Sequence, residues 1–280
     1  MTYKKILTIQ DISCLGQCSL TVALPILSAC GNETCIIPSA VLSNHTGGFS
    51  GFTFRDLSED IPLIKEQWEK EGVFFDAVYT GYLGSAKQIE YVLDIIESRK
   101  KKDAEVIVDP AMADFGVLYK GFDENYVEAM KKLCFSGADV ILPNITEACY
   151  LTGIEYKEDY DEAYVESLVK ALSSMGAKTI VLTGVGYTEG TTGVLVYENG
   201  RAEYYKHNKI KRSCHGTGDV YASVFVGALM KGFSVHKAAQ IAADFTVECI
   251  EITSEDKEHW YGVKFELLIP KLIKMFEEYR

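Results

Sequence analysis

Six short apolar runs, each halted by a polar or flexible residue, limit what this chain can become. They are Lys5–Ile9, Thr34–Ser43, Phe75–Thr80, Val106–Val108, Val140–Leu142 and Thr179–Leu182. Helical patterns separate them. One spans 19–29, with Pro25 as a point where it could kink. Another opens at Ser85 and carries a one-sided stripe of Ile89, Val92, Leu93 and Ile96. Further helices fit 124–135, 145–152, 161–175, 218–231, 234–252 and 264–278. Uninterrupted apolar strands alternating with helices predict a mostly parallel sheet covered on both faces, a three-layer α/β/α architecture. Gly193–Tyr197 and Ala202–Tyr205, joined by Glu198-Asn199-Gly200-Arg201, predict a hairpin on one edge. No linker or fixed-period repeat interrupts the pattern, so residues 1–280 read as one α/β domain. With 48% hydrophobic residues, the chain can bury a core of that size.

Charge narrows the partners. Forty acids against 28 lysines and arginines leave a net charge of −12. Such a surface repels a polyphosphate backbone, which argues against nucleic acid. A small anion remains possible, because backbone amides can hold it against the global field. The eight cysteines form no CxxC pair and have no accompanying histidine cluster, so they read as reduced thiols rather than zinc ligands. The N-terminus carries no secretory pattern, and the longest apolar run, Val220–Met230, is too short to span a bilayer. These features predict a soluble, cytoplasmic protein.

Ligands of open α/β sheets bind beyond the carboxyl ends of the strands. There this chain places Gln10-Asp11, Asn44-His45-Thr46, Gly81-Tyr82, Asp109-Pro110, Asn144 with Glu147, and Thr183-Gly184. Polar loops account for part of such a list. Asp11 and Asp109 stand out because each directly follows an apolar strand, where a charge needs a partner. The stretch Ser213-Cys214-His215-Gly216-Thr217-Gly218-Asp219 precedes an apolar helix. A helix starting near Gly218 leaves N–H groups free, and the glycines admit a ligand close to the backbone. The result is an anion cradle with an acid in the first helical turn. From spacing alone, Asp219 is either a capping acid or a general base for phosphoryl transfer to a hydroxyl. A P-loop is excluded by the lack of a Gly-Lys dipeptide. Gly184-Val185-Gly186 leads into a strand rather than a helix, which argues against a dinucleotide fingerprint.

His215-Gly216-Thr217-Gly218-Asp219 resembles the GTGD signature of the ribokinase superfamily. Within it, Thr8-Ile9-Gln10, Leu42-Ser43-Asn44-His45-Thr46-Gly47, Thr80-Gly81-Tyr82-Leu83-Gly84-Ser85, Asp109-Pro110 and Pro143-Asn144-Ile145-Thr146-Glu147 are similar to the pyridoxal/pyridoxamine (vitamin B6) kinases. The likeness implies a ribokinase-like fold, ATP as phosphoryl donor, Mg²⁺, a monovalent cation such as K⁺, and a homodimer. It implies phosphorylation of the 5′-hydroxymethyl group of pyridoxamine, pyridoxal or pyridoxine. By motif, Asp219 is the base, and Gly216, Thr217 and Gly218 hold the transferring phosphoryl group. Asp109 and Glu147 serve the metal, directly or through water. Asn144, Thr183, Lys209, Ile210 and Asp114, the last in a loop over the nucleotide, match the ATP side. Asp11, Thr46 and Tyr82 match the pyridine pocket.

The chain departs from that family at three points. Asp11 stands where many pyridoxal kinases have Ser, and a carboxylate there favours a cationic amine, hence pyridoxamine. Ala113 replaces a frequent loop Gly, and Leu142 replaces a Thr common before the Pro-Asn pair. Cys214, two residues before the cradle, could add to an aldehyde if the helix terminus lowers its pKa, or could simply pack. His45 and His215 read as loop histidines bonded to backbone. Two other functions compete: a kinase for another small alcohol such as hydroxymethylpyrimidine, and a non-catalytic pyridoxal phosphate binder. Pyrimidine kinases usually carry Cys at the position of Asp219, which ranks the first lower.

Overall fold

The computed structural model describes residues 3–212 and 214–278. Strand β1 (Lys5–Ser13) is followed by α1 (Leu20–Ala29), β2 (Glu33–Leu42), β3 (Phe54–Asp56), α2 (Asp60–Lys70), β4 (Phe75–Thr80), α3 (Ala86–Arg99) and β5 (Lys100–Val108). A small hairpin, β6 (Ala113–Asp114) and β7 (Val117–Leu118), precedes α4 (Glu124–Lys132), β8 (Val140–Ile141), α5 (Ile145–Thr152), α6 (Glu162–Ser174) and β9 (Thr179–Thr183). The chain ends with β10 (Thr191–Glu198), β11 (Arg201–Asn208), α7 (Thr217–Met230), α8 (Val235–Ser254) and α9 (Ile269–Glu278).

Nine strands form one sheet in the order β11-β10-β9-β8-β5-β4-β1-β2-β3. The six from β9 to β2 run parallel, and β10 pairs antiparallel with both β9 and β11. The predicted edge hairpin is therefore present, with register Glu198↔Arg201 at its turn. The opposite edge, β3, is short, and its three residues are exposed, so neither period nor apolar content signals it. The α2 helix and the β6–β7 hairpin also had no sequence reading.

Two apolar clusters lie on either side of the sheet. One joins α1, α7, α8 and α9 to Ile6, Ala77, Tyr79 and Ile107. The other joins α2 through α6 to Leu7, Ile9, Val78 and Val108. Alternate residues of each strand thus serve opposite layers, which gives the expected three-layer α/β/α arrangement.

Local chemistry explains most boundaries. Ser85, Asp123, Asp161 and Ser234 each accept a backbone N–H at the start of their helices. On α3, Ile89, Val92 and Ile96 face the core as expected; Ile95 is fully buried too, while Leu93 is only partly covered. The helix expected over 124–135 instead passes at Leu133 into a π-helical turn reaching Gly137. The one expected over 264–278 opens as a 3-10 turn, Phe265–Leu268. Pro25 is accommodated within α1, without ending it.

Chain order fixes where a ligand can enter. From β1 the chain crosses to β2 on one side, and from β4 it crosses to β5 on the other. Their loops diverge and leave a crevice between the carboxyl ends of β1 and β4.

Candidate active site

α7 forms the floor of this crevice. Its residues Val220–Met230 are all buried, and Val224, Phe225 and Val226 are fully so. Each such side chain contributes about 1.5–3 kcal/mol, so packing rather than capping anchors this helix. Its N-cap, Gly216, has φ 78° and no side-chain cap. A Cβ there would lie 2.2 Å from the Gln17 carbonyl oxygen, so the turn requires glycine. Gly218 differs: a Cβ would meet no protein atom within 4 Å. Its open side is where a ligand can approach the free N–H groups of the first turn. The Thr217 hydroxyl turns back to the Cys214 carbonyl at 3.4 Å.

Asp219 sits in that first turn. Burial pushes its pKa up to about 7; a hydrogen bond from the Ser19 backbone opposes the rise, and the charges of Asp109 and Asp11 add to it. A carboxylate tuned so close to neutrality can take a proton at physiological pH.

Asp11 marks a register slip in β1, where Gln10 pairs with Pro38 but Ile12 pairs with Val41. Its carboxyl is buried and accepts a hydrogen bond from the Ser13 hydroxyl at 3.0 Å. Burial raises its pKa, while hydrogen bonds from Ser19 and Ser13 oppose the rise. Tyr82, half-buried across the crevice, stacks on Phe122 at 5.5 Å. Burial and the nearby Asp11 push its phenol up to about 12, so it remains a donor. Thr46 is exposed in the loop after β2. That loop is tied to the β1–α1 loop by His45, whose N–H donates to the Leu15 carbonyl at 3.0 Å. His45 Nδ1 accepts the Gly47 N–H, and its ring lies 4.8 Å from that of His215. His45 thus bonds to backbone, as read from sequence.

Asp109 and Glu147 lie together at the ends of β5 and β8. Burial and the charge of Glu147 raise the Asp109 pKa; burial raises that of Glu147 as well. Glu147 accepts the Met112 N–H at 3.1 Å and the Asn144 N–H at 2.8 Å, while Asn144 caps the Glu147 N–H at 2.9 Å. This capping box leaves two neighbouring carboxyls that repel each other, which a divalent cation would relieve. Among the described residues, no three His, Cys, Asp or Glu side chains converge as a metal cluster. The donor set therefore suits a hydrated ion such as Mg²⁺ better than a closed protein cage.

The side chain of Asn144, expected from sequence to face a nucleotide, is engaged within the protein. Besides its cap, its Nδ2 donates to the Ala113 carbonyl at 2.9 Å and anchors the β6–β7 hairpin. Thr146 accepts the Gly116 N–H of the same hairpin, at whose exposed turn Asp114 stands. Thr183, at the end of β9, donates to the Pro143 carbonyl at 3.4 Å. Lys209 and Ile210 follow β11, just upstream of the cradle, with the Lys209 N–H on the Gly190 carbonyl.

Three neighbours escaped the sequence reading. Ser19 occupies the N-cap position of α1 without a side-chain cap, and only its place before Leu20 hinted at a role. The Cys18 thiol is raised by burial and by Asp219 and Asp11, which places it beside both acids. Trp260 packs against Phe49 at 4.7 Å and over Gly48, a long-range contact without a local signal. The low thiol pKa considered for Cys214 is not found. Burial raises it against the pull of Arg212, and the side chain packs on the α7–α8 core.

Comparison with known proteins places this arrangement. The phosphomethylpyrimidine kinase family model matches residues 27–263. A Bacteroides thetaiotaomicron protein described as a phosphomethylpyrimidine kinase, crystallised with pyridoxal, is 37% identical. It aligns over 99% of this chain and 96% of its own, with a TM-score of 0.89. Pyridoxal kinase from Lactobacillus plantarum is 30% identical over the full length of both chains, with a TM-score of 0.90. The hydroxymethylpyrimidine/phosphomethylpyrimidine kinase of Bacillus subtilis is 31% identical over 221 residues, 77% of each chain.

Proposed function

The chain belongs to the phosphomethylpyrimidine kinase family, and from that premise we propose that it transfers the γ-phosphoryl group of ATP to the 5′-hydroxymethyl group of a B6 vitamer. The observation that carries this reading is Asp219, tuned to about pH 7 beside the glycine cradle at the crevice between β1 and β4. The Bacteroides protein crystallised with pyridoxal supports the vitamer as the acceptor.

Asp219 takes the proton as the vitamer hydroxyl attacks the γ-phosphorus and the bond to the ADP oxygen breaks. The N–H groups of Gly216, Thr217 and Gly218 meet the negative charge on the transferring group, a preorganised stabilisation needing no reorientation. A bound Mg²⁺ would neutralise phosphate charge, held near Asp109 and Glu147 through its waters. Thr183, Lys209, Ile210 and Asp114 flank the nucleotide; Asn144 acts by holding the β6–β7 hairpin. Tyr82, Thr46 and Asp11 form the pyridine side, with Asp11 at its base. The likeness to the vitamin B6 kinases supports a cytoplasmic homodimer. Among the described residues no helix is long and apolar enough to cross a membrane.

A second reading, a hydroxymethylpyrimidine kinase, is favoured by the Bacillus relative. One assay separates them: ADP release with pyridoxal, pyridoxamine, pyridoxine, hydroxymethylpyrimidine and ribose, with Asp219→Asn as control. Turnover of a vitamer at least about tenfold more efficient than of the pyrimidine supports the first reading. The reverse ratio supports the second, and turnover of neither rejects both.

A further inference from the structure

Behind Asp219, on the face of the sheet covered by α7, lies a polar trio in apolar surroundings. Tyr79 on β4, Gln10 on β1 and Ser223 on α7 are each fully buried. Strand alternation brings them together. Tyr79 shares its face with Ala77, and Gln10 shares its face with Ile6 and Thr8; Ile6, Ala77 and Tyr79 all belong to the cluster packed by α7. Thr8 pairs in register with Tyr79. Ser223 follows Asp219 by four residues, so the two lie on one side of the helix, a turn apart.

Gln10 donates its Nε2 to Thr8 Oγ1 at 2.9 Å. Its Oε1, the Tyr79 hydroxyl and the Ser223 hydroxyl make no direct hydrogen bond of good geometry. Ser223 and Gln10 lie close enough to the Tyr79 hydroxyl to interact with it, and it also feels the charges of Asp109 and Asp219. Gly81 makes room for the arrangement, since a Cβ there would lie 2.7 Å from Gln10 Oε1. An unmatched buried polar group costs about 1–3 kcal/mol, and apolar residues would fill this layer without that cost. Three such groups in one place match the roughly three partners that an enclosed water takes.

We propose that Gln10, Tyr79 and Ser223 bind one enclosed water, and that this bridge makes Tyr79 a positioning residue for Asp219. The bridge spans the three segments that carry the site: Gln10 adjoins Asp11, Tyr79 leads to Gly81-Tyr82, and Ser223 lies one turn behind the base. It fixes the first turn of α7 laterally, where the glycines of the cradle provide no side chain to do so. The inference rests on Asp219 being the base.

Vitamer kinetics of Tyr79→Phe and Ser223→Ala, each removing one hydroxyl, test it alongside the wild-type enzyme and its crystal structure at high resolution. We expect density for a water bridging the three side chains. We also expect kcat to fall about tenfold in each variant while KM for vitamer and ATP stays within about twofold, a loss confined to the transition state. The double variant falls no further than the worse single one. Unchanged kcat in both single variants, density without a bridging water, or a kcat loss accompanied by a proportional loss of folded protein overturns the proposal. A wild-type enzyme that phosphorylates no vitamer overturns the kinase reading and this inference with it; active wild type with unaffected variants overturns this inference alone.

Discussion

Asp11 and Asp219 are linked by a single residue, Ser19, whose side chain hydrogen-bonds to Asp11 and whose backbone hydrogen-bonds to Asp219. One residue at the start of α1 thus joins two acids from distant parts of the chain. Ser19 can do this because its backbone departs from the usual cap geometry, with φ 55° and ψ −127°. The loop from Gly16 to Ser19 is shaped by the site as much as by the helix it begins.

Asp219→Asn keeps the shape and removes the base. Its kcat should fall by about two to four orders of magnitude, with KM little changed, in the ADP-release assay.

The same substitution should stabilise the fold at alkaline pH. The folded pKa of Asp219 is raised, so its neutral form is the favoured one in the native state. Relative to the unfolded chain, that stabilisation is full below about pH 4 and is lost as pH rises through about 7. Asn, which never ionises, should therefore raise Tm at pH 8 by a few degrees, about 3 °C, and change it less at pH 5. Thermal melts at both pH values check the sign.

Activity should rise with pH in the opposite sense. The base works when ionised, so kcat should climb through an ascending limb near pH 7 or below, because a cationic substrate or metal pulls the pKa down. A pH–rate profile of the wild-type enzyme measures this. A limb above about pH 8 would assign the limiting ionisation to another group.

The two glycines of the cradle should separate packing from binding. Gly216→Ala forces a side chain into a left-handed backbone and against the Gln17 carbonyl, and should cost about 1–3 kcal/mol of stability together with activity. Gly218→Ala meets no protein atom, so its Tm should match wild type while kcat falls about tenfold or more. Denaturant melts and turnover of both variants read the contrast.

Asp11→Ser should change the choice of vitamer. Removing the carboxyl removes its attraction for a cationic amine, so the pyridoxamine-to-pyridoxal ratio of kcat/KM should fall by about threefold to tenfold. An unchanged ratio would leave Asp11 with the role its hydrogen bonds to Ser13 and Ser19 already describe, holding the loop. Cys214→Ala should leave pyridoxal kinetics unaltered, since its thiol is packed and raised.

The parallel sheet, its edge hairpin, the helix near Gly218 and the acids at the strand ends were legible in the order of residues, because these depend on period and on turn chemistry within a few residues. An acid in a first helical turn reads equally as cap or base; what bears on the choice is its surroundings, where protein encloses the carboxyl beside Asp11 and Asp109 and lifts it toward neutrality. Asn144 and Cys214 likewise depend on tertiary contacts: the Asn144 amide braces the β6–β7 hairpin, and burial raises the Cys214 thiol. Desolvation and charge repulsion act between residues a hundred or more positions apart, and the order of residues alone carries neither their distances nor their exposure to water.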